Sequence, residues 1–120
     1  MKSVTFEGNT LIVGENASSM PYAIRDAFAL GEIVVVLLDP NAYLNDPSYG
    51  KDRRRGKNPL HNLFALSKDG RVLWEAEFPE QADYYYRIAS QSPIVALSFS
   101  SFRCEIDPDT GRITGKQFFK

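Results

Sequence analysis

A tight turn at Lys68-Asp69-Gly70 separates two runs of alternating residues, which is typical of a β-hairpin. Asp-Gly supplies the positive φ angles that a compact hairpin turn needs. In the second run the apolar residues share one parity and the charged residues the other: Val72, Trp74, Ala76 and Phe78 against Arg71, Glu75 and Glu77. We therefore expect a hairpin over residues 62–79 with the Trp74 ring in the core.

Short β-prone runs bounded by turn residues fill most of the remaining chain. Ile33–Leu38 is the most apolar run; it is too short to span a bilayer as a helix, and we expect it to be a buried central strand. The other runs are residues 3–13 with a turn at Gly8-Asn9, and residues 84–88, 94–99, 102–106 and 112–119. Roughly nine or ten strands with local turns predict an all-β fold, an antiparallel meander of short strands.

Residues 14–30 are harder to assign. Residues 14–22 are polar and turn-rich, so we expect a loop there. One short helix near residues 19–30 is an alternative, because Ser19 is able to cap it and Gly31 to end it. We favour a strand, since Ile24, Phe28 and Leu30 share one parity and Gly31-Glu32 then turns the chain into Ile33–Leu38.

Residues 39–61 lack any apolar period and predict a long loop within a single β domain of residues 1–120. The run Lys51–Lys57 in this loop is basic, and Tyr49 lies near it. Such a segment is able to bind phosphates and stack a base. A solvated loop is the better interpretation, because no second basic cluster supports a nucleic-acid site.

Composition excludes several classes of protein. The chain has 120 residues, of which 43% are hydrophobic, and this predicts a globular domain. Fourteen basic residues against fifteen acidic ones leave a net charge of −1, which gives no overall attraction to nucleic acid or anionic membranes. The single cysteine forms no internal disulfide, and the N-terminus lacks a signal peptide, so we expect a cytoplasmic location.

Residues suited to catalysis or metal binding are few. His61 and Cys104 invite a Cys-His hydrolase hypothesis, but Cys104 lies between Phe102 and Ile106, where a cysteine is usually a small buried hydrophobe. One histidine and one cysteine do not make up the common zinc sets. Asp39, Asp46 and Asp52 lack calcium-loop spacing, and the glycines form no nucleotide signature. We expect no metal, no cofactor and no enzymatic activity.

Two segments resemble the repeat of the PQQ-like β-propellers. Leu63–Trp74 is similar in its Ala65-Leu66 pair, its Asp69-Gly70 turn and a strand that ends in tryptophan, and residues 106–113 resemble the same turn in its Asp-Thr-Gly form. The resemblance implies one or two propeller-blade-like sheets. A closed propeller needs at least about four blades, so the chain is more similar to small stand-alone bacterial blade-like proteins, some of them immunity proteins. The adjacent-cysteine and calcium-ligand features of the quinoprotein dehydrogenases are absent, and their cofactor and activity are not implied.

Tyrosines and carboxylates cluster in the second half of the sequence. The predicted partner-binding residues are Glu75, Glu77, Glu80, Asp83, Tyr84, Tyr85 and Tyr86. Aromatic anchors rimmed by carboxylates suit a protein interface with a basic partner such as a nuclease, whereas the bland alternative is a half-exposed strand. We therefore expect a non-catalytic binding protein, and specifically an immunity protein that neutralises a toxin by direct binding. The alternative is a small intracellular scaffold that forms homodimers through its sheet edges.

Overall fold

The computed structural model describes residues 3–46, 60–80 and 83–119, which form eleven strands and one short helix. No helix in these residues is long and apolar enough to cross a membrane. The elements in chain order are β1 (Val4–Glu7), β2 (Thr10–Val13), β3 (Asn16–Ser19), β4 (Ile24–Leu30), β5 (Ile33–Leu38), α1 (Pro40–Leu44), β6 (Leu63–Leu66), β7 (Val72–Glu75), β8 (Tyr85–Gln91), β9 (Ile94–Ser98), β10 (Phe102–Ile106) and β11 (Ile113–Phe118).

The strands form three antiparallel sheets, each a meander in which sequence neighbours pair. The N-terminal sheet has the order β1-β2-β3, the middle sheet β4-β5-β6-β7, and the C-terminal sheet β11-β10-β9-β8. This confirms the predicted all-β antiparallel fold. Two-residue turns at Gly8-Asn9 and Gly31-Glu32 close the hairpins that the sequence predicts, with Glu7 opposite Thr10 and Leu30 opposite Ile33.

The middle sheet is the centre of the domain because side chains are buried on both of its faces. Val35 and Leu37 of β5 belong to a core shared with the C-terminal sheet, and Val34, Val36 and Leu38 to a core shared with the N-terminal sheet. Burial on both faces explains why β5 is continuously apolar, where a strand with one solvated face would alternate. β5 lies between β4 and β6, so the prediction of a buried central strand is confirmed.

The β6–β7 hairpin has the predicted turn, and Trp74 is 7% exposed. Its indole Nε1 donates a hydrogen bond to the Pro108 carbonyl at 2.8 Å. Val72, however, is 60% exposed, so its predicted place beside Trp74 on the core face is wrong. A register shift after Ala65 sets Val72 opposite Leu66, and Val72 therefore points to the other face of the sheet.

The prediction of a loop over residues 14–22 is wrong, and the favoured strand before Gly31 is confirmed. Residues 14–22 do not form a continuous loop, since Asn16–Ser19 is strand β3 and pairs with β2 through backbone hydrogen bonds. No helix lies near residues 19–30, where β4 forms the favoured strand instead.

The one helix of the described residues lies at the start of the predicted 39–61 loop. Asp39 caps α1, its carboxylate accepting from the Asn41 backbone N–H at 3.0 Å, and Pro40 occupies the first turn. The basic run Lys51–Lys57, with Tyr49 and Asp52, lies outside the described residues.

Candidate binding surface

Two of the predicted partner-binding residues are buried and do not contribute to an exposed face. Tyr85 is 0% exposed, and its hydroxyl donates to the Glu77 carbonyl at 2.5 Å. Asp83 is 5% exposed, and its carboxylate accepts hydrogen bonds from the Ser100 backbone N–H and the Ser100 hydroxyl. Tyr85 lies opposite Ser98 on the inner face of the C-terminal sheet, which explains its burial.

The remaining predicted residues do not form one patch. Glu77 is exposed, and its carboxylate accepts from the Ile113 backbone N–H of β11 at 3.0 Å. Tyr84 directly precedes β8 and Tyr86 lies in it; both are half-buried at the other edge of the same sheet. Three strand spacings, roughly 14 Å, separate those edges. Glu75 lies on β7 and Glu80 on an exposed turn, so the acidic and tyrosine-bearing surfaces are separate.

Arginines accompany the tyrosine-bearing surface on the outer face of the C-terminal sheet. Leu97 of β9 lies opposite Arg87 of β8 on one side and Arg103 of β10 on the other, and Arg103 lies opposite Gln117 of β11. Paired residues point to the same face, and the neighbours Ser98 and Cys104 point inward. We call this surface the arginine-aromatic face; its members are Tyr84, Arg87, Leu97, Phe99, Arg103 and Gln117.

Phe99 and Tyr84 form the aromatic end of this face. Phe99 is 66% exposed, and its ring stacks on Tyr84 with centroids 5.0 Å apart and planes inclined by 24°. The Phe99 backbone N–H donates to the Tyr84 carbonyl at 2.9 Å. Asp83 fixes both sides of the pair, since it also accepts from the Tyr84 backbone N–H at 2.8 Å. Burial raises the pKa of the Tyr84 hydroxyl, and the nearby Asp83 carboxylate adds to this shift, so the ring stays uncharged.

The charge of the arginine-aromatic face is positive. Arg87 and Arg103 are both exposed, and Glu105 is the acidic residue of the adjoining row. Arg25 reaches the same edge from β4, where its guanidinium donates to the Tyr86 carbonyl at 2.9 Å, but its charge is paired with Asp39 at 3.4 Å. A carboxylate-bearing surface is the complement of this arrangement.

Cys104 and His61, the residues considered for catalysis, pack against other parts of the fold and do not lie next to each other in a site. Cys104 is 0% exposed, and burial raises the pKa of its thiol, so the nucleophilic thiolate is disfavoured. The His61 Nδ1 contacts the Ala76 carbonyl at 2.8 Å, and its ring stacks on Phe78 with centroids 4.5 Å apart.

The aspartates considered as cation ligands also have local partners. Asp39 caps α1, and the Asp46 carboxylate accepts from the Tyr22 hydroxyl at 2.8 Å. In the described segments no three histidine, cysteine or acidic side chains lie together as a metal site would require.

A family model described as domain of unknown function (DUF7957) matches residues 1–118. The chain belongs to the DUF7957 family. The match covers all three sheets of the DUF7957 chain, including every strand that forms the arginine-aromatic face. Neither a curated protein nor a solved structure matches it.

Sequence reasoning missed several residues of this DUF7957 domain that matter for the surface and its support. The outward position of Arg103 could have been predicted, because Phe102, Cys104 and Ile106 were expected to point inward and Arg103 alternates with them. The position of Arg87 could not have been predicted, because register shifts in β8 break the alternation of side chains along that strand. Asn62 carried no signal, since a buried bridging amide has no local pattern.

Proposed function

We propose that this domain is a non-catalytic protein-binding module, and that it is an immunity protein that neutralises a toxin by direct binding. The observation that carries the proposal is the exposed Phe99 ring, stacked on half-buried Tyr84, beside the exposed Arg87 and Arg103 on one sheet face. Exposed aromatic residues and arginines are the side chains that most often dominate binding energy at protein interfaces.

A protein partner fits this face better than a nucleic acid does. The chain as a whole carries a net charge of −1, so it has no general attraction to phosphate backbones. Leu97, half-buried between the two arginines, adds apolar contact area at the centre of the face. The partner contact is acidic with an apolar cleft for Phe99, opposite in sign to the basic partner that the sequence suggests.

The test is complex formation with the product of the neighbouring gene, followed by rate measurements. Arg87→Glu and Arg103→Glu should slow association, and the effect should shrink at high salt because steering by exposed charges is screened over roughly 10 Å at 0.1 M. Phe99→Ala should instead speed dissociation by about tenfold or more, as expected for a buried aromatic anchor. Co-expression should also protect cells from the toxin, and the three variants should weaken that protection.

Matched controls separate the face from general effects. Arg112→Glu changes an exposed arginine on the β10–β11 turn, on the order of 16 Å along the strand from Gln117. Phe6→Ala removes a partly exposed aromatic residue of the N-terminal sheet. Both controls should bind like the unmodified chain. A complex unaffected by the three face variants would assign binding to another surface, and a tight complex with a single-stranded oligonucleotide would replace the protein partner.

Self-association is the second candidate, and one observation favours it. Phe118 is 60% exposed and lies on β11, the edge strand of the C-terminal sheet. An edge strand with an exposed aromatic residue is able to pair with another copy. Sedimentation would then show a dimer that Phe118→Lys dissociates, and a monomer at all concentrations would exclude this role.

A further inference from the structure

We propose that the free edge of β3 is a docking site for an extended segment of a partner protein, which adds a fourth strand to the N-terminal sheet. This site is distinct from the arginine-aromatic face, because the N-terminal and C-terminal sheets cover opposite faces of the middle sheet.

The first observation is the number of strands in each layer. The middle and C-terminal sheets have four strands, whereas the N-terminal sheet has three among the described residues. β1 packs against β4, the first strand of the middle sheet. Asn16 and Ser18 of β3 line a cleft of about 110 Å³ together with Leu66 and the turn that precedes β7. The N-terminal sheet therefore extends from β4 to β6, and no strand of the described residues covers β7 on this face.

The second observation is the burial of the middle sheet on the face that the N-terminal sheet covers. Val34 is 3% exposed and Leu66 is 4% exposed on this face, but Val72 of β7, which lies opposite Leu66, is 60% exposed. On its other face β7 meets the four-stranded C-terminal sheet, and Trp74 there is 7% exposed. One further strand beside β3 would cover Val72 as the C-terminal sheet covers Trp74.

The backbone of β3 is suited to this addition. The hydrogen bond from the Met20 N–H to the Asn9 carbonyl, at 2.7 Å, continues the ladder that β3 forms with β2. Backbone groups alternate in direction along a strand, so the N–H and C=O groups of residues 16, 18 and 20 point toward β2. The N–H and C=O groups of Ala17 and Ser19 point to the free edge, where an added strand would receive hydrogen bonds.

The exposed groups under this position define the chemistry of the segment. It needs an apolar side chain over Val72 and a basic one near Glu75, the next residue of β7 on that face, which lies opposite Phe64. Glu75 is exposed and forms no ion pair within the described segments, whereas nearby Lys68 pairs with Glu32. A second copy of β3 fits poorly, because it would set Asn16 and Ser18 over Val72.

The experiment uses the full chain and a short synthetic peptide, Thr-Val-Thr-Lys-Thr-Val, whose valine and lysine side chains share one face of a strand. Amide chemical shifts of Ala17 and Ser19 should change saturably at millimolar peptide. Ala17→Pro removes one free-edge N–H without touching the β2 ladder, and it should weaken binding by about tenfold, as expected for loss of a hydrogen bond. Ala17→Val keeps the N–H and should bind normally. Melting curves should show that both variants fold like the unmodified chain.

Charge exchange provides a variant that does not perturb the strand. Glu75→Lys should reverse the preference, so that a peptide with glutamate in place of lysine binds more tightly than the original. A peptide of the same composition with its valines and lysine consecutive should not bind. The proposal is overturned if the Ala17 and Ser19 amides do not shift, if Glu75→Lys leaves the preference unchanged, or if sedimentation shows a dimer that Ala17→Pro abolishes, which would make a second copy the occupant.

Discussion

Asn62 joins two sheets through three hydrogen bonds of one buried side chain. Its amide nitrogen donates to the Leu38 carbonyl at 3.0 Å and to the Tyr85 carbonyl at 2.7 Å, and its oxygen accepts from the Tyr85 backbone N–H at 3.1 Å. The side chain thus pairs with the start of β8 as a neighbouring strand would. It connects the middle sheet to the C-terminal sheet at Tyr85, the residue that follows Tyr84 of the Tyr84-Phe99 pair.

Removal of this amide should be costly. Asn62→Ala leaves the backbone groups of Tyr85 buried without their partner, and we expect a loss of about 2–4 kcal/mol in the free energy of unfolding. Urea denaturation measures it, with exposed Asn41→Ala as the control that should change stability by less than about 0.5 kcal/mol. Equal stability of the two variants would mean that Asn62 is not a structural bridge.

Tyr85 and Cys104 should make the domain sensitive to alkali. Burial raises the pKa of both groups, so the folded chain holds these protons to higher pH than the unfolded chain, which releases them at about 8.5 for the thiol and about 10 for the phenol. The stabilisation is therefore complete below about pH 8.5 and is lost as pH rises. The free energy of unfolding should fall as the pH rises above about 8.5; the fall should be smaller in Cys104→Ala, and above about pH 10 it should be smaller in Tyr85→Phe. Parallel pH profiles in all three proteins would contradict this.

At the scale of elements, the β10–β11 turn locks the β6–β7 hairpin in place. Gly111 has a φ of 77°, and a Cβ at this residue would lie 2.6 Å from Cε3 of Trp74. The Glu77 backbone N–H donates to the Gly111 carbonyl at 2.9 Å. The turn therefore needs glycine for its backbone conformation and for its close approach to the indole ring.

These two requirements can be separated. Gly111→Ala should cost about 2–5 kcal/mol, from the left-handed backbone and from the clash with Trp74. Gly70 has a φ of 90° but open space around it, so Gly70→Ala should cost only the backbone part, about 1–2 kcal/mol. Thermal unfolding of the two variants gives the comparison. A Gly70→Ala variant as unstable as Gly111→Ala would show that close packing on Trp74 contributes little.

At the scale of the whole molecule, the three sheets are unequally supported. The middle sheet has a buried core on each face, whereas every residue of β3 is exposed. Local opening is easiest where few apolar contacts hold a strand. The N-terminal sheet should thus open before the middle sheet does.

Native-state hydrogen exchange tests this order. Amides of β5 and β6 should exchange most slowly, at a rate set by global unfolding, and the amides of residues 16 and 18, which bond to β2, should exchange faster. Amides of Ala17 and Ser19 should exchange fastest, since they point to the free edge. Protection of β3 equal to that of β5 would show that the three layers unfold as one unit.

The candidate surface shows where sequence reasoning stops. Burial of Cys104 followed from alternation, because Cys104 and Ile106 of β10 keep one parity, and burial of Trp74 followed from its alternation with Glu75 and Ala76. The acidic residues and tyrosines do not form the one face that the sequence predicts, because Tyr85 is buried and Glu77 lies beside β11, at the opposite edge of the sheet from Tyr84. The resemblance to propeller repeats stays a prediction, as does the immunity role.

The sequence by itself determined the hairpins, because turn residues such as Asp69-Gly70 and the parity of apolar side chains act within a few residues. Only the tertiary structure decided which face Val72 and Arg87 lie on. Register shifts in β7 and β8 reverse parity, and they depend on the partner strand. The polar strand β3 likewise exists through backbone pairing with β2, which needs no apolar pattern of its own. The arginine-aromatic face and the free edge therefore arise from register and layer order, which no local pattern encodes.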